Sequence, residues 1–547
     1  MAQTLIKNGN IHIMDVENTI VDAILWEDGV IKEVGTYEQV CKSKKDDCTE
    51  LDAEGKLVLP AFHDSHLHLL GYCESLDMVD LYLVESIQQM QEKVKEFIEK
   101  QKCTNQDVKS QEENCKWICG RGWNQDYFPD GKMPTREDLD QISTQVPIVL
   151  TRACGHMLVV NSKALQLCQI TKDTPQVEDG AFELDANGEP NGIFREGAMG
   201  LITHQIPEKT VEDLKKFILI GQEELFQQGI TSVQSDDFWE KKFETVIQAF
   251  RELEQEGKLK VHVYEQSNLG SLSELKRYVA LGLHEEKGGK HYRLGPLKIL
   301  GDGSLGARTA YMLKPYHDAP ETTGIAYFTK QELYEYMKYA HDHDMQIAIH
   351  CIGDGMLDMA LDCFEQIQKE NPKEDMRHGI VHCQITSKEQ LKRIKDNELV
   401  VYMQPIFLNY DMQIVESRVG KELASSSYNW KSLKDLGVHC SVGSDCPVEP
   451  FHTMNNIYSA VTRKNLQGQP DEGYYPEQCL TVEETIRAFT VESAYTAKEE
   501  TKAGTLEKGM RADLVMLDRD LFTCEPEEIR DTAIVMTISD GEIVYQK

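Results

Sequence analysis

Short apolar segments alternate with amphipathic, helix-like segments through the middle of the chain. Apolar runs of about four to eight residues are typical of buried strands, and helical patterns between them are typical of βα units and a parallel sheet. Eight such runs are present, which is the number that closes a barrel. We therefore predict an α/β fold with a TIM-like (β/α)8 barrel whose strands lie within residues 57–62, 230–234, 259–264, 297–300, 347–349, 379–381, 399–403 and 439–442.

The two ends of the chain have a different pattern. Residues 1–56 and 503–547 contain short strand-like segments separated by Asn-Gly and Asp-Gly turns, which is typical of antiparallel sheets. Neither end is long enough to bury a stable core by itself. We therefore predict one small β-sandwich that is formed by both termini.

A long stretch interrupts the βα rhythm after the first predicted barrel strand. Residues 80–211 are too many for a βα connection, so we predict an inserted subdomain there. This leaves residues 57–79 and 212–502 for the barrel. Because the loops that follow barrel strands leave from the catalytic face, we expect the insertion to lie over the barrel mouth.

The composition narrows the class of protein. The chain has 58 basic and 92 acidic residues and a formal net charge of -34, which repels nucleic acid and anionic membrane surfaces. No run approaches the roughly 18 apolar residues that a membrane span needs, and no signal-peptide pattern is present at the start. We expect a cytoplasmic protein with a small-molecule substrate and no nucleic-acid or membrane partner. A homodimer is compatible with the sequence.

Residues that can bind a metal follow several of the predicted strands. His66 and His68 come directly after the first strand, and alternate residues of an extended segment face the same side. His350, His382 and Asp445 come at or just after the ends of three later strands. In a barrel these positions meet at the carboxyl end, where the active sites of such folds lie. The pattern therefore indicates a metal site.

Lys298 lies on the same predicted rim, near the end of a strand. One interpretation is a lysine paired with a neighbouring carboxylate. The other is a carbamate, because a lysine in a buried, cationic site can take up carbon dioxide as the neutral amine and become a bridging carboxylate. The residues alone leave both interpretations open.

The motifs taken together resemble a known family. The segment PAFHDSHLH at residues 60–68 is joined by similar motifs at 155–165, 298–306, 350–354, 380–384, 443–448 and 504–515. By these motifs the chain is identified as a member of the amidohydrolase superfamily, in the branch that contains N-substituted formamide deformylase. The resemblance implies a TIM-like barrel that holds one or two divalent metals, usually Zn²⁺, and hydrolysis of an amide, imide or related C–N bond.

The resemblance also implies roles for individual residues. His66 and His68 would bind one metal, and His350 and His382 would bind the other. Asp445 would bind the first metal and act as a catalytic acid and base. Lys298, in carboxylated form, would bridge the two metals.

Two further residues enter through the same resemblance. Some relatives use a glutamate as the bridge, which makes Glu196 a rival of Lys298. His156 is a candidate catalytic residue that would stabilise the oxyanion.

Two alternative functions remain open at this level. One is a mononuclear-metal deaminase on the same fold, which would need a single metal and no carboxylated Lys298. The other belongs to a different class, a non-catalytic regulatory protein that has kept the barrel. The regulatory alternative is weakened by the intact ligand set, since a decayed site would be expected to lose ligands. That set is His66, His68, His350, His382 and Asp445.

Overall fold

The computed structural model describes residues 3–104, 116–239, 241–286 and 288–547. It divides into two compact units. The first comprises the chain up to Gly71 together with everything from Val211 onward, and the second is Tyr72–Thr210.

The first unit contains the predicted barrel. Eight parallel strands, here numbered β1 to β8 in chain order, lie side by side in that order. This confirms the TIM-like barrel. The strands are β1 (Phe62–Leu67), β2 (Ile230–Ser235), β3 (His262–Asn268), β4 (Tyr292–Leu300), β5 (Ile347–Cys351), β6 (Gly379–His382), β7 (Val400–Met403) and β8 (Cys440–Val442).

Helices connect and follow the strands. Several begin at capping boxes that the sequence encodes, such as Thr329 with Glu332 and Thr481 with Glu484, in which side chains satisfy the free backbone N–H groups of the first turn. The principal helices of this unit are Val211–Gln227, Phe243–Gln255, Leu272–Ala280, Lys330–Asp342, Asp354–Glu370, Lys388–Asp396, Val415–Ala424, Trp430–Asp435, Thr453–Thr462, Val482–Phe489 and Val491–Thr496, and the helix Leu69–Leu76 contains the boundary to the second unit. Within the described ranges, no helix combines the length and apolar character that a membrane crossing requires.

The first barrel strand begins later than the sequence predicts. Leu57–Pro60 pairs antiparallel with Leu514–Leu517 in a separate sheet, and the barrel strand is Phe62–Leu67. The chain changes partner at Ala61, whose N–H donates to the Asp513 carbonyl, whereas the next N–H, that of Phe62, donates to the Gly229 carbonyl. An unbroken apolar run gives no signal for such a change of partner. The change places His66 inside β1, not in a loop after it.

Strands from both chain ends share a sheet. One four-stranded sheet contains Gln3–Lys7, Ala23–Glu27, Val30–Gly35 and Thr49–Asp52, and a six-stranded sheet contains Asn10–His12, Ile20–Val21, Leu57–Pro60, Leu514–Leu517, Ile534–Ser539 and Glu542–Gln546. Their facing side chains form one buried cluster that includes Ile6, Trp26, Val58, Leu514 and Met536. Neither end could bury these side chains without the other.

The second unit, Tyr72–Thr210, has its own sheet and core. Its six strands are Val79–Asp80, Ile118–Trp123, Ile148–Arg152, Met157–Val160, Gly180–Leu184 and Pro190–Glu196, and its helices include Ile87–Thr104, Arg136–Asp140, Ser162–Leu167 and Gly200–Thr203. Trp123, Leu139 and Leu150 are fully buried in its hydrophobic core. The Trp123 indole N–H donates to the Leu150 carbonyl at 2.8 Å.

The barrel closes where the segment after β8 meets β1. The Asp445 N–H donates to the His66 carbonyl at 2.8 Å, and the His68 N–H donates to the Cys446 carbonyl at 2.7 Å. The buried Asp64 carboxylate, which belongs to β1, accepts the Ser444 N–H at 3.1 Å. These bonds bring Asp445 to the two histidines, although more than 370 residues separate them in the chain.

Gly443 should be essential to this closure. A Cβ at this position would lie 2.5 Å from the His66 backbone nitrogen and 2.8 Å from its carbonyl oxygen. We expect Gly443→Ala to lower the free energy of unfolding by about 1–3 kcal/mol, as overpacking does in other cores. Chemical denaturation monitored by circular dichroism measures this loss.

The matched control is Gly306→Ala. A Cβ there meets nothing nearer than Ile414, at 4.0 Å, so its stability should stay close to that of the unsubstituted protein. If both alanine variants were equally stable, the closure would not depend on the close approach at Gly443.

Candidate metal centre

The barrel brings together the ligand candidates that the sequence singles out. His66 lies in β1, Lys298 in β4, His350 in β5 and His382 at the end of β6, while Asp445 lies three residues after β8. All five are buried. Because the strands are parallel, these positions share the carboxyl end of the barrel.

His66, His382 and Asp445 form the tightest group. One possible ligand atom from each lies within 4.8 Å of those of the other two. His68 adjoins this group, with Nε2 3.2 Å from Asp445 Oδ1, and the His350 ring centroid lies 4.4 Å from that of His382. His382 therefore lies close to both His66 and His350. The resemblance places His382 with His350 at a second metal, and that division of the ligands stays a prediction.

The four histidines share one orientation. In each ring, Nδ1 is within hydrogen-bond distance of an oxygen, so Nε2 is the second ring nitrogen left for another partner, which for His68 is Asp445 Oδ1 at 3.2 Å. Metal-binding histidines characteristically donate their other ring N–H in this way, which selects the tautomer and holds the ring in place. The contacts are His66 to Gln266 Oε1 at 2.7 Å, His68 to the Asp236 carbonyl at 3.1 Å, His350 to Asp302 Oδ1 at 2.9 Å and His382 to Gln404 Oε1 at 2.8 Å.

This arrangement is suited to a cation. With Nδ1–H donated to Gln266, His66 Nε2 presents a lone pair 3.3 Å from the Asp445 carboxylate. His66 Nε2 is buried and makes no hydrogen bond. Two acceptors at this distance need a positive group near both of them, and imidazole nitrogens with a carboxylate are ordinary Zn²⁺ ligands. The residues therefore fit a divalent metal.

Burial and the charged groups nearby lower the pKa values of two of the histidines, His66 and His382. Burial lowers the pKa of His66 to about 4, with a further contribution from the positive charge of Lys298. Burial, together with the proximity of His350, holds the pKa of His382 well below its ordinary value. Both rings are therefore neutral at pH 7, the form that binds metals.

The pKa values of His68 and Asp445 are shifted in the direction opposite to the one that burial favours. Burial opposes a charge on both, but the hydrogen bond between them outweighs it, so the pKa of His68 is raised. Burial raises the pKa of Asp445, but the proximity of His66 and His68 outweighs it and holds the pKa of Asp445 well below its ordinary value. Asp445 is thus a carboxylate at neutral pH.

Lys298 is paired with a carboxylate. Its Nζ lies 3.4 Å from Asp236 Oδ2, and both side chains are almost completely buried. The Asn268 amide donates to the same oxygen at 3.3 Å, while Asp236 Oδ1 makes no hydrogen bond. This geometry agrees with the interpretation of Lys298 as the partner of a carboxylate. Its role as a metal bridge stays a prediction.

The residues that orient the histidines were not predicted from the sequence. Asp236 and Gln404 each lie one residue beyond a barrel strand, Asp302 lies two beyond, and Gln266 lies within β3. The signal that could have indicated Asp236, Asp302 and Gln404 is their position just past a strand end, which they share with the predicted ligands. Asp64 lies in the interior of β1 and has no such positional signal.

His156 and Glu196 both belong to the second unit. His156 Nδ1 lies 3.1 Å from Glu196 Oε2, and both side chains are more than half exposed. The structure thus pairs the two residues with each other. Their proposed roles toward the barrel ligands stay predictions.

The fold and the site together define a class of protein. It is a parallel eight-stranded barrel whose carboxyl end carries histidines and carboxylates that can bind a metal. Comparison with known proteins agrees with this class. The model of the Amidohydrolase family matches residues 49–545, and the chain belongs to that family.

Its relatives cover nearly the whole chain. The amidohydrolase YtcJ of Bacillus subtilis (strain 168) is 31% identical over 541 residues, covering 98% of each protein. N-substituted formamide deformylase of Arthrobacter pascens is 26% identical, covering 100% of this chain and 99% of the relative. An uncharacterised metal-dependent hydrolase from Pyrococcus furiosus superimposes with a TM-score of 0.78 at 31% identity, covering 95% of this chain and 100% of that one.

Asp64 should make stability depend on pH. Burial raises its pKa to about 7, although the Ser444 and His66 N–H groups oppose the shift. The folded state then prefers the protonated acid, so this contribution to stability is present at low pH and is lost as the pH rises toward 7. In the metal-free protein between pH 5 and 6, the unfolding free energy should fall by about 1.3 kcal/mol per pH unit more than that of Asp64→Asn, and the slope should decrease toward pH 7.

Urea denaturation of both proteins at several pH values measures this difference. Other titrating groups are common to the two proteins and cancel in the comparison. Parallel pH profiles would show that Asp64 is ionised in the folded protein.

Proposed function

We propose that this protein is a metal-dependent amidohydrolase that hydrolyses an amide-type C–N bond of a small molecule. The observation that carries the proposal is the orientation of the four histidines, each with Nδ1 at an oxygen, together with the convergence of His66, His382 and Asp445 on one point. Membership of the amidohydrolase family supports the same reaction class.

The metal that we propose is Zn²⁺, as one or two ions. With two ions, His66, His68 and Asp445 would hold the first, His350 and His382 would hold the second, and Lys298 as a carbamate would bridge them. With one ion, His382 would join His66, His68 and Asp445. Imidazole and carboxylate ligands support zinc. When bound, such an ion supplies Lewis-acid activation of water and of the scissile carbonyl.

The proton transfers fall to Asp445. Its carboxylate is ionised at neutral pH, because the proximity of His66 and His68 outweighs the effect of burial and holds its pKa well below the ordinary value. It can therefore accept a proton from the attacking water and return it to the leaving nitrogen, as a general base and then a general acid. His156 is proposed to stabilise the oxyanion as a hydrogen-bond donor.

The second unit is proposed to lie over the barrel mouth and to select the substrate. It follows β1 in the chain, and segments that follow barrel strands leave from the catalytic face. The name of the Arthrobacter relative, an N-substituted formamide deformylase, makes N-formyl amines the first substrates to test. N-acyl amines, cyclic imides and ring amines complete the screen, with the released amine or ammonia as the readout.

Removing a proposed ligand should remove metal. We expect the purified protein to contain bound zinc and His66→Ala to contain much less, since His66 lies at the centre of the tightest group. Lys298→Ala should also lose metal, because it would remove the anion that balances two adjacent cations. Elemental analysis by mass spectrometry measures the metal content.

His439→Ala is the matched control. His439 is half-exposed and pairs with Glu492 at 2.7 Å, away from the proposed ligands, so its metal content should match that of the unsubstituted protein. Full metal content in His66→Ala would overturn the ligand assignment. Loss of metal in Glu196→Ala but not in Lys298→Ala would move the bridge to Glu196.

Asp445→Asn separates proton transfer from folding. Asparagine keeps the shape of the side chain but cannot accept the proton, so kcat should fall by about 10²- to 10⁴-fold, the usual contribution of general acid–base catalysis. Steady-state kinetics on the best substrate of the screen, with metal content measured in parallel, test this. Normal turnover by the variant would exclude Asp445 as the proton carrier.

A further inference from the structure

Three polar side chains lie in the segments that follow neighbouring barrel strands, at the same end as the candidate metal centre. Gln384 comes shortly after the end of β6, Asp411 comes after β7 and Glu449 comes after β8. The carboxyl ends of adjacent parallel strands meet at one edge of the barrel. None of the three side chains has a part in the proposed hydrolysis.

The two carboxyl groups have no cationic partner. Asp411 Oδ2 accepts the Tyr428 hydroxyl at 2.7 Å and the Gln384 amide at 3.2 Å. Burial raises the pKa of the half-buried Glu449 to about 7, and the negative charge of Asp411 contributes to the shift, so the two groups lie near each other. Within the described ranges, no lysine, arginine or histidine pairs with either of them. Adjacent acidic groups without a counter-charge are costly.

Gln384 adds an acceptor that has no donor. Only 3% of the residue is exposed, and its Oε1 makes no hydrogen bond. Because the amide nitrogen is held by Asp411, the oxygen of the same amide lies beside that carboxylate. Turning the amide over would set two oxygens against each other, so the unmatched atom stays an acceptor. A buried acceptor is costly unless a donor reaches it.

Phe407 connects this group to the metal centre. Its ring stacks on that of His382, with centroids 5.7 Å apart and an angle of 16° between the planes. Phe407 and Asp411 are four residues apart in continuous helical backbone. They therefore lie on the same face, about 6 Å apart along the axis. An apolar side chain thus lies between a proposed metal ligand and the carboxylate.

We propose that Gln384, Asp411 and Glu449 bind a primary ammonium group of the substrate. The inference rests on the proposed amide hydrolysis and names its substrate class, the monoacyl derivatives of diamines. The scissile amide would lie at the metal centre, the hydrocarbon chain along Phe407 and the free ammonium at the three acceptors. A primary ammonium has three N–H donors, one for each of these side chains.

The charge of the whole protein has to be separated from this specific site. A formal net charge of -34 attracts cations in general. Glu422→Gln is therefore the matched control, because it removes one negative charge from an exposed side chain of the helix Val415–Ala424. Asp411→Asn and Glu449→Gln change the net charge by the same amount.

The test compares pairs of formamides on the purified full-length protein. Each pair matches the N-formyl derivative of an unbranched diamine of three to five carbons with a neutral formamide in which methyl replaces the ammonium. For the best chain length, kcat/KM should be at least roughly tenfold higher for the diamine derivative, since buried acceptors gain a charged donor. Asp411→Asn and Glu449→Gln should lose most of this preference while keeping kcat/KM for the neutral formamide. Glu422→Gln should keep the preference.

Binding is measured separately by calorimetric titration with pentylammonium, which needs no hydrolysis. Its affinity should fall at least roughly tenfold in Asp411→Asn and in Glu449→Gln but not in Glu422→Gln. Equal kcat/KM within every formamide pair, or unchanged pentylammonium affinity in Glu449→Gln, would overturn the proposal.

The variants also separate this proposal from the proposed function. Glu449 has no hydrogen-bond partner to lose, so Glu449→Gln decides the outcome if Asp411→Asn fails to fold. If no amide is hydrolysed, the proposed function is contradicted, and the pentylammonium titration still decides whether the three side chains bind an ammonium group.

Discussion

The closure of the barrel between β1 and the segment after β8 is the constraint on which the candidate site depends. The backbone of His66 and His68 bonds to that of Asp445 and Cys446, while Asp64 accepts the Ser444 N–H. The same bonds that complete the barrel place the Asp445 carboxylate against two imidazoles. A side chain at Gly443 would occupy the space of the His66 backbone. The same backbone atoms therefore determine both the closure of the barrel and the geometry of the site.

A lack of positive charge near the Asp445 carboxylate is the second feature of the carboxyl end of the barrel. Oxygen acceptors at Nδ1 leave imidazole lone pairs facing Asp445, and burial lowers the pKa of His66 to about 4. Without a metal, the contact of His68 with Asp445 opposes the effect of burial and raises the pKa of His68, which favours its protonated form. Burying a carboxylate without a compensating charge is costly, which explains why a group of this composition needs a cation.

The amino end of the barrel has a different electrostatic structure. Arg511, in the segment that returns to the terminal sheet, donates to Asp513 at 2.8 Å and lies 3.3 Å from Glu499. Arg511 and Arg293 lower the pKa of Glu499 to about 2, although burial opposes this. Buried, paired charges here join the barrel to the chain ends, and His262 and His291 at the same end of the strands contact Asp540 of the C-terminal turn.

Much of the fold and part of the site could be predicted from the sequence. The period of the hydrophobic pattern, the turn residues and the number of apolar runs can be read locally, so they were enough to predict the eight-stranded barrel. Because the barrel strands are parallel, His66, His350, His382 and Asp445 then lie at one end of it. The exact start of β1 was not predictable, because the run from Leu57 to Leu67 changes partner at Ala61 without a change in composition. Asp236, Gln266 and Gln404 acquire their roles only through contacts with distant histidines. Asp540 meets His262 only because the C-terminal turn packs against the barrel, and such contacts are decided by the tertiary structure, since no local pattern records which distant segments will meet.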